Sequence, residues 1–201
     1  TRADLGIGEE DVVFTLVARG IKRKGWRAAI EAFRRLREEA GRTDSHLLLI
    51  GEGEATDLAR RQAQGLEGVT FLGYQSEING IFRLSDCNIV PTRFEGESYP
   101  LCIIQALQER LPVIATDIGE IRSMITEGDA VAGVLLENLR DSNRFFDALV
   151  AGMVRMMDPE FRARAGDNAE ICARKFDMDE IVTTYGTVYR QAIALTADLD
   201  G

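Results

Sequence analysis

The sequence predicts an α/β, Rossmann-like domain: a mostly parallel sheet of about six strands covered by helices, with an all-helical C-terminal end. Three observations predict it. Six short, uninterrupted apolar runs rich in β-branched residues recur between residues 12 and 136. Amphipathic stretches of helical period separate them. After residue 140 the strand pattern stops and only helical patterns follow.

In order, the strands are expected at VVFTLVA (12–18), HLLLIG (46–51), VTFLG (69–73), CNIVP (87–91), PVIAT (112–116) and AGVLL (132–136). Strands buried on both faces of a parallel sheet read as continuous apolar runs, because neither face meets water. Between the first two, Trp26, Ala29, Ile30, Phe33 and Leu36 repeat at three- and four-residue spacing with Arg and Glu opposite, the pattern of a helix burying one face. Leu101, Ile104, Ala106 and Leu107 repeat it after the fourth run. Near the end, one helix carries Phe145, Leu149 and Val150, and the last carries Ile181, Tyr185, Val188, Tyr189 and Ile193. Crossovers of this length are right-handed and set the strands parallel. Such sheets bind ligands outside the carboxyl ends of their strands. Chemistry is therefore expected in loops 18–25, 51–56, 73–76, 92–100 and 116–121.

Composition bounds the partners. The 201 residues are 45% hydrophobic and 28% charged, the balance of one ordinary globular domain spanning 1–201. With 24 Lys and Arg against 33 Asp and Glu, the net charge of −9 argues against a nucleic-acid surface. No apolar run approaches the ~20 residues of a membrane helix, and TRADLGIGEED carries no signal-peptide pattern. Cys87, Cys102 and Cys172 are odd in number and widely spaced, which offers neither a disulfide framework nor a zinc knuckle. A cytoplasmic location is expected. The chain opens on Thr1 rather than Met, which reads as a piece of something larger.

Three loops carry candidate chemistry. The first, A-R-G-I-K-R-K-G (18–25), leads from the first strand into the Trp26 helix and gathers Arg19, Lys22, Arg23 and Lys24 in an acidic chain. Arginine grips phosphate with a planar fork and lysine adds a movable point charge. The loop reads either as a diphosphate site or as a solvated basic loop. The second, R-F-E-G-E-S-Y-P-L-C-I-I-Q (93–105), reads as a helix start, with Ser98 as N-cap and Pro100 in the first turn. Free N–H groups at a helix start receive phosphate, helped by the dipole. Carboxylates beside it suit sugar hydroxyls, because an ionised carboxylate only accepts; the alternative is that Glu95 and Glu97 merely complement the dipole. The third, G-E-G-E-A-T (51–56), resembles a dinucleotide fingerprint but has Thr56 where the third glycine belongs. It follows the second strand rather than the first, and reads as a tight turn lining the pocket.

Other polar residues read as structural. His46 opens a strand with no Ser, Cys or Asp at a telling spacing. Asp177-Met178-Asp179 begins the last helix, with Asp177 as N-cap and Glu180 completing a capping box. Asp198-Leu199-Asp200 is a chain end. Neither acidic run reads as a metal site, and the cysteines read as small hydrophobes.

Taken in order, these segments resemble the carboxyl-terminal, nucleotide-sugar-binding domain of the group 1 (family four) retaining glycosyltransferases of the GT-B fold. Arg19 with Lys24-Gly25 is similar to the family's Arg…Lys-Gly pair. LLLIGEG, VTFLGY, EGESYPLCIIQAL, PVIATDIGEI, GVLLE and FDMDEIVTTYGTVYRQAI follow in the family's order over essentially all 201 residues. The resemblance implies that Arg19 and Lys24 neutralise a donor diphosphate and that Glu97 contacts the donor sugar near the reacting carbon. It implies that the backbone of Ser98, Tyr99, Pro100 and Leu101 receives sugar or phosphate, through the amides of its non-proline residues. Position 105 would hold the ribose, and the Leu72–Gln75 loop with Tyr74 would approach the base. Glu97, Arg19 and Lys24 are thus the expected catalytic set. Neither a metal nor another cofactor is expected; the nucleotide sugar is a substrate.

The sequence departs from the family at three places. Gln105 stands where glutamate is usual, which predicts weaker or altered ribose recognition. The Gly-Gly-x-Pro-Glu turn reads Gly119-Glu120-Ile121-Arg122-Ser123. Arg110 stands where glycine often precedes the next strand, so a left-handed turn there would strain it.

The implied reaction moves a glycosyl group from a nucleotide diphosphate sugar to a glycan, lipid-linked or small-molecule acceptor with retention. The family's amino-terminal acceptor domain is missing from this chain, so the piece is expected to bind nucleotide with little activity. It is expected to expose an apolar docking patch, and a membrane-peripheral position is open through the missing domain. Two other readings stand: a non-catalytic nucleotide-binding or interaction module, and a related epimerase or phosphorylase. A dehydrogenase lacks its first-strand fingerprint here.

Overall fold

The computed structural model describes residues 1–197, with side chains through Ile193. Its elements run β1 (Val12–Val17), α1 (Trp26–Glu38), β2 (Ser45–Ile50), α2 (Thr56–Gln62), β3 (Val69–Gly73), α3 (Asn79–Leu84) and β4 (Cys87–Val90). They continue with α4 (Leu101–Gln108), β5 (Val113–Thr116), α5 (Ile121–Ile125), β6 (Thr126–Glu127), β7 (Ala130–Val131) and β8 (Gly133–Leu136), then α6 (Ser142–Met157), α7 (Pro159–Ala173) and α8 (Met178–Ala197). All six expected strands form one sheet, in the order β3-β2-β1-β4-β5-β8. Every pairing is parallel, with Phe14 opposite both Leu47 and Cys87.

Alternation along each strand divides the core between two faces. Phe14, Leu16, Leu47, Leu49, Ile89 and Ile114 pack with Phe33 and Leu36 of α1 and with Phe145, Leu149 and Met153 of α6. Val90, Val113 and Ala115 point the other way, onto Ile103 and Leu107 of α4 and Ala169 and Cys172 of α7. Each large side chain buried this way contributes about 1.5–3 kcal/mol. All three cysteines are free thiols in these layers, as small hydrophobes.

Three local expectations change. The helix after the fourth strand begins at Leu101, and Pro100, not Ser98, is its N-cap, with φ −61° and ψ 112°. Ser98 lies exposed in the preceding loop. The antiparallel hairpin of β6 and β7 was not legible as strand, because two-residue strands carry no period. Asp177 caps α8 as expected, accepting from the Asp179 and Glu180 amides at 2.9 and 3.1 Å. The reciprocal half of the capping box is missing, because the Asp177 amide donates to the Arg174 carbonyl instead. Asp198-Leu199-Asp200 lies outside the described residues.

The last helix also leaves its apolar residues uncovered. Val182, Tyr185, Val188 and Tyr189 are all more than half exposed, at 63, 60, 55 and 64%. Among the described residues, no helix is long and apolar enough to cross a membrane.

Candidate functional site

The chain crosses from one side of β1 to the other between β3 and β4, so β1 and β4 flank the point where strand order reverses. A crevice opens outside the carboxyl ends at such a point. The basic loop leaves β1 there and the 91–100 loop leaves β4. Gly25 lets them touch: its φ of 83° is left-handed, and a Cβ would strike the Pro91 carbonyl. The Arg93 amide then donates to the Arg23 carbonyl at 2.9 Å. On the other side the Gly20 amide donates to the Glu52 carbonyl at 2.8 Å and the Ala55 amide to the Gly20 carbonyl at 2.7 Å. The 51–56 turn is thus the backing of the basic loop.

Within this frame Lys24 Nζ donates to both carboxylate oxygens of Glu97, at 2.8 and 2.6 Å. Glu97 is only 8% exposed. The Thr92 hydroxyl donates to its Oε2 at 2.9 Å. A carboxylate held this deep needs such partners, since desolvation otherwise disfavours its charge. Glu97 therefore does more than complement a helix dipole: it turns toward Lys24. The loop after β5 braces it from behind, where Gly119, with φ 55°, packs so closely that a Cβ would meet the Glu97 carbonyl oxygen. Asp117 and Arg122 pair with each other across that loop.

Arg19 behaves differently. It is exposed and its guanidinium makes no hydrogen bond or ion pair with any described residue. It stands where two cavities adjoin, sharing Val17, Ala18 and Arg19. The larger, about 430 Å³, is lined by Lys24, Thr92, Glu97, Tyr99, Pro100, Leu101 and Cys102 among others. The smaller, about 310 Å³, reaches Gly51, Glu52, Tyr74 and Gln75. The first turn of α4 opens on the larger cavity, and no side chain caps it. Its free amides add donors there. Phe94 lies under the cations, with Arg23 and Lys24 at 5.6 and 5.8 Å from its ring centre. Burial pushes the Cys102 thiol up to about 11, so it stays protonated at neutral pH and is no nucleophile.

The chain matches the family described as "Glycosyl transferases group 1" over residues 11–153. It belongs to the group 1 glycosyltransferases. Among curated relatives, it is 27% identical to N-acetyl-alpha-D-glucosaminyl L-malate synthase of Bacillus anthracis, over 94% of this chain and 48% of that protein. It is 30% identical to the phosphatidyl-myo-inositol mannosyltransferase of Mycobacterium leprae, over 73% of this chain and 38% of the relative. The chain thus spans about half the length, or less, of these relatives. Among solved structures, Anabaena HepE in complex with UDP superposes with a TM-score of 0.80, at 20% identity over 94% of this chain and 51% of that one. WaaG, a glycosyltransferase involved in lipopolysaccharide biosynthesis, superposes with 0.71, at 21% identity over 88% and 46%. At these identities the superpositions establish the fold.

In this group 1 chain the expected residues separate into two sets. Arg19, Lys24, Glu97, Tyr99, Pro100 and Leu101 line the larger cavity, and Tyr74 lines the smaller. Gly25, Ser98 and Gln105 line neither. Gly25 is buried beneath the loops, Ser98 is exposed, and Gln105 is half-buried about one turn beyond Leu101. Sequence reasoning passed over Thr92, Glu52 and Cys102. The available signal for Thr92 was a polar residue directly after an apolar strand run, at the carboxyl end where ligands bind. His46 is structural: its Nε2 lies 2.9 Å from Asp11 Oδ2 at the opposite end of the sheet. Among the described residues, no three His, Cys, Asp or Glu side chains converge to hold a metal ion.

Proposed function

We propose that the 201 residues are the donor-binding domain of a retaining glycosyltransferase, whose acceptor-binding domain belongs to a longer protein. One observation carries this reading: the unpaired Arg19 stands where two cavities adjoin at the reversal of strand order, and the Lys24–Glu97 pair lines the larger of them. A diphosphate at that junction meets the Arg19 fork and the Lys24 ammonium. The base extends toward Tyr74 and Gln75, and the sugar toward Glu97 and the first turn of α4. Gln105, one turn along α4, is the proposed ribose contact.

The chemistry follows from charge. When the bond between the anomeric carbon and the diphosphate breaks, negative charge grows on the leaving oxygen. Arg19, Lys24 and the α4 amides are already in place to stabilise it, which costs no reorganisation during the reaction. Glu97 accepts from a sugar hydroxyl and orients the ring, and the acceptor hydroxyl then bonds the anomeric carbon on the face the diphosphate left, passing its proton to the departing diphosphate oxygen. A metal has no assigned part in this scheme. Net charge of −9 does not oppose it, because a local cationic cleft focuses an anion in an acidic protein. The acceptor, a glycan, a lipid-linked molecule or a small molecule, would be held by the missing domain, so the isolated chain binds donor with little turnover. We place the whole protein in the cytoplasm.

Calorimetric titration of the chain with UDP, GDP and ADP tests the reading. One of them is expected to bind saturably. Arg19→Ala, which breaks no existing contact, should weaken it by roughly ten- to a hundredfold, the loss of one charge-assisted phosphate grip. Lys24→Ala should weaken it similarly and also lower stability, since it leaves the Glu97 carboxylate unpaired. Failure of all three nucleotides to bind would favour an interaction module instead.

A further inference from the structure

Thr92 stands two residues beyond β4 and is fully buried. Its hydroxyl has one proton and two lone pairs. The Phe94 amide donates to it at 3.3 Å. Two acceptors compete for its proton: Glu97 Oε2 at 2.9 Å and the Arg23 carbonyl at 3.3 Å. The shorter, charge-assisted bond wins. Glu97 Oε2 then accepts from Thr92 at 2.9 Å and Lys24 at 2.6 Å, while Oε1 accepts from Lys24 alone at 2.8 Å. Each carboxylate oxygen takes about two hydrogen bonds. Oε2 is full; Oε1 keeps one place.

We infer that Thr92 is a positioning residue: by filling Oε2 it holds Glu97 so that Oε1 is the acceptor left for a donor-sugar hydroxyl. Threonine suits this role because branching at Cβ stiffens χ1 and fixes where the hydroxyl points. Serine retains the hydroxyl with less stiffness, and valine retains the shape without it. The inference rests on the reading of Glu97 as the sugar contact and adds the residue that orients it.

The test is the ratio of dissociation constants for a nucleotide sugar and its free diphosphate. UDP, GDP and ADP are titrated beside UDP-glucose, UDP-N-acetylglucosamine, GDP-mannose and ADP-glucose, against wild type, Thr92→Val and Thr92→Ser. Thr92→Val is expected to shift the ratio about tenfold against the sugar conjugate, the effect of one hydrogen bond to a charged group. Free diphosphate affinity should change less than about twofold, since Arg19 remains in place. Thr92→Ser should restore most of the ratio. Should valine leave the chain unfolded by circular dichroism, Thr92→Ala is read by the same ratio. Equal weakening of both ligands, or an unchanged ratio, overturns the role of Thr92 and leaves the donor site standing. Absence of any nucleotide binding by wild type overturns both.

Discussion

Arg110 closes the turn between α4 and β5 with φ at 57°, the sole non-glycine residue with positive φ among those described. The left-handed region costs an L-residue about 1–2 kcal/mol, through the approach of Cβ to the carbonyl oxygen. Arg110 offsets part of this with pairs to Asp167 and Glu170 at 2.6 and 3.5 Å, both on exposed side chains. Surface pairs of this kind are worth little. Arg110→Val should therefore lower unfolding stability by about 1–3 kcal/mol, because a β-branched residue fits this backbone poorly, and Arg110→Asn should be nearly neutral. Urea denaturation of both variants distinguishes backbone strain from ion-pair loss, since each removes the pairs. At the same scale, Lys24 and Arg19 were legible as a basic cluster on one loop. Their unlike states were not: Lys24 is committed to Glu97, 73 positions away, while Arg19 is unpaired. No spacing rule encodes a contact that the strand order creates.

Among elements, α4 and α8 show how local signals succeed and fail. The Ser-Tyr-Pro run announced a helix start, but proline fixed an extended residue at the boundary and moved the start to Leu101. Glu97 thus lies three residues before the cap, in a loop that turns it toward Lys24. In α8 the cap was legible because a carboxylate before a helix satisfies otherwise unpaired amides. Asp177→Ala should speed amide exchange at Asp179 and Glu180 about fivefold, matching a cap worth about 1 kcal/mol, with little change in the global melting temperature. Exchange measured by NMR on both proteins checks this. The β6–β7 hairpin and the short helices α2, α3 and α5 lay below sequence detection, since five to seven residues barely complete two turns of helix.

Across the whole molecule, two features stand out from the compact sheet. In a chain of net charge −9, Arg19 and Lys24 line a crevice at the reversal of strand order. The far C-terminal helix presents Val182, Tyr185, Val188 and Tyr189 to water, with the two tyrosine rings 6.4 Å apart. A helix whose apolar residues find no cover among the described residues promotes association. Sedimentation velocity should show concentration-dependent self-association of the chain, reduced in a Val182→Lys, Tyr189→Lys double variant whose melting temperature stays within a few degrees of wild type. Monomeric behaviour at every concentration would contradict it.

The sequence alone determined the six strands, their parallel arrangement and the loops in which chemistry would sit. Those follow from local periodicity and from the rule that crossovers are right-handed. The ordered motifs also carried the family. Only the tertiary structure decided which members of those loops meet. It paired Lys24 with Glu97, left Arg19 open between two cavities, kept Gln105 outside both linings, and brought in Thr92. Periodicity reports the face a residue turns to within its own element, whereas these contacts depend on β1 and β4 lying side by side and on glycines that let three loops close to van der Waals distance.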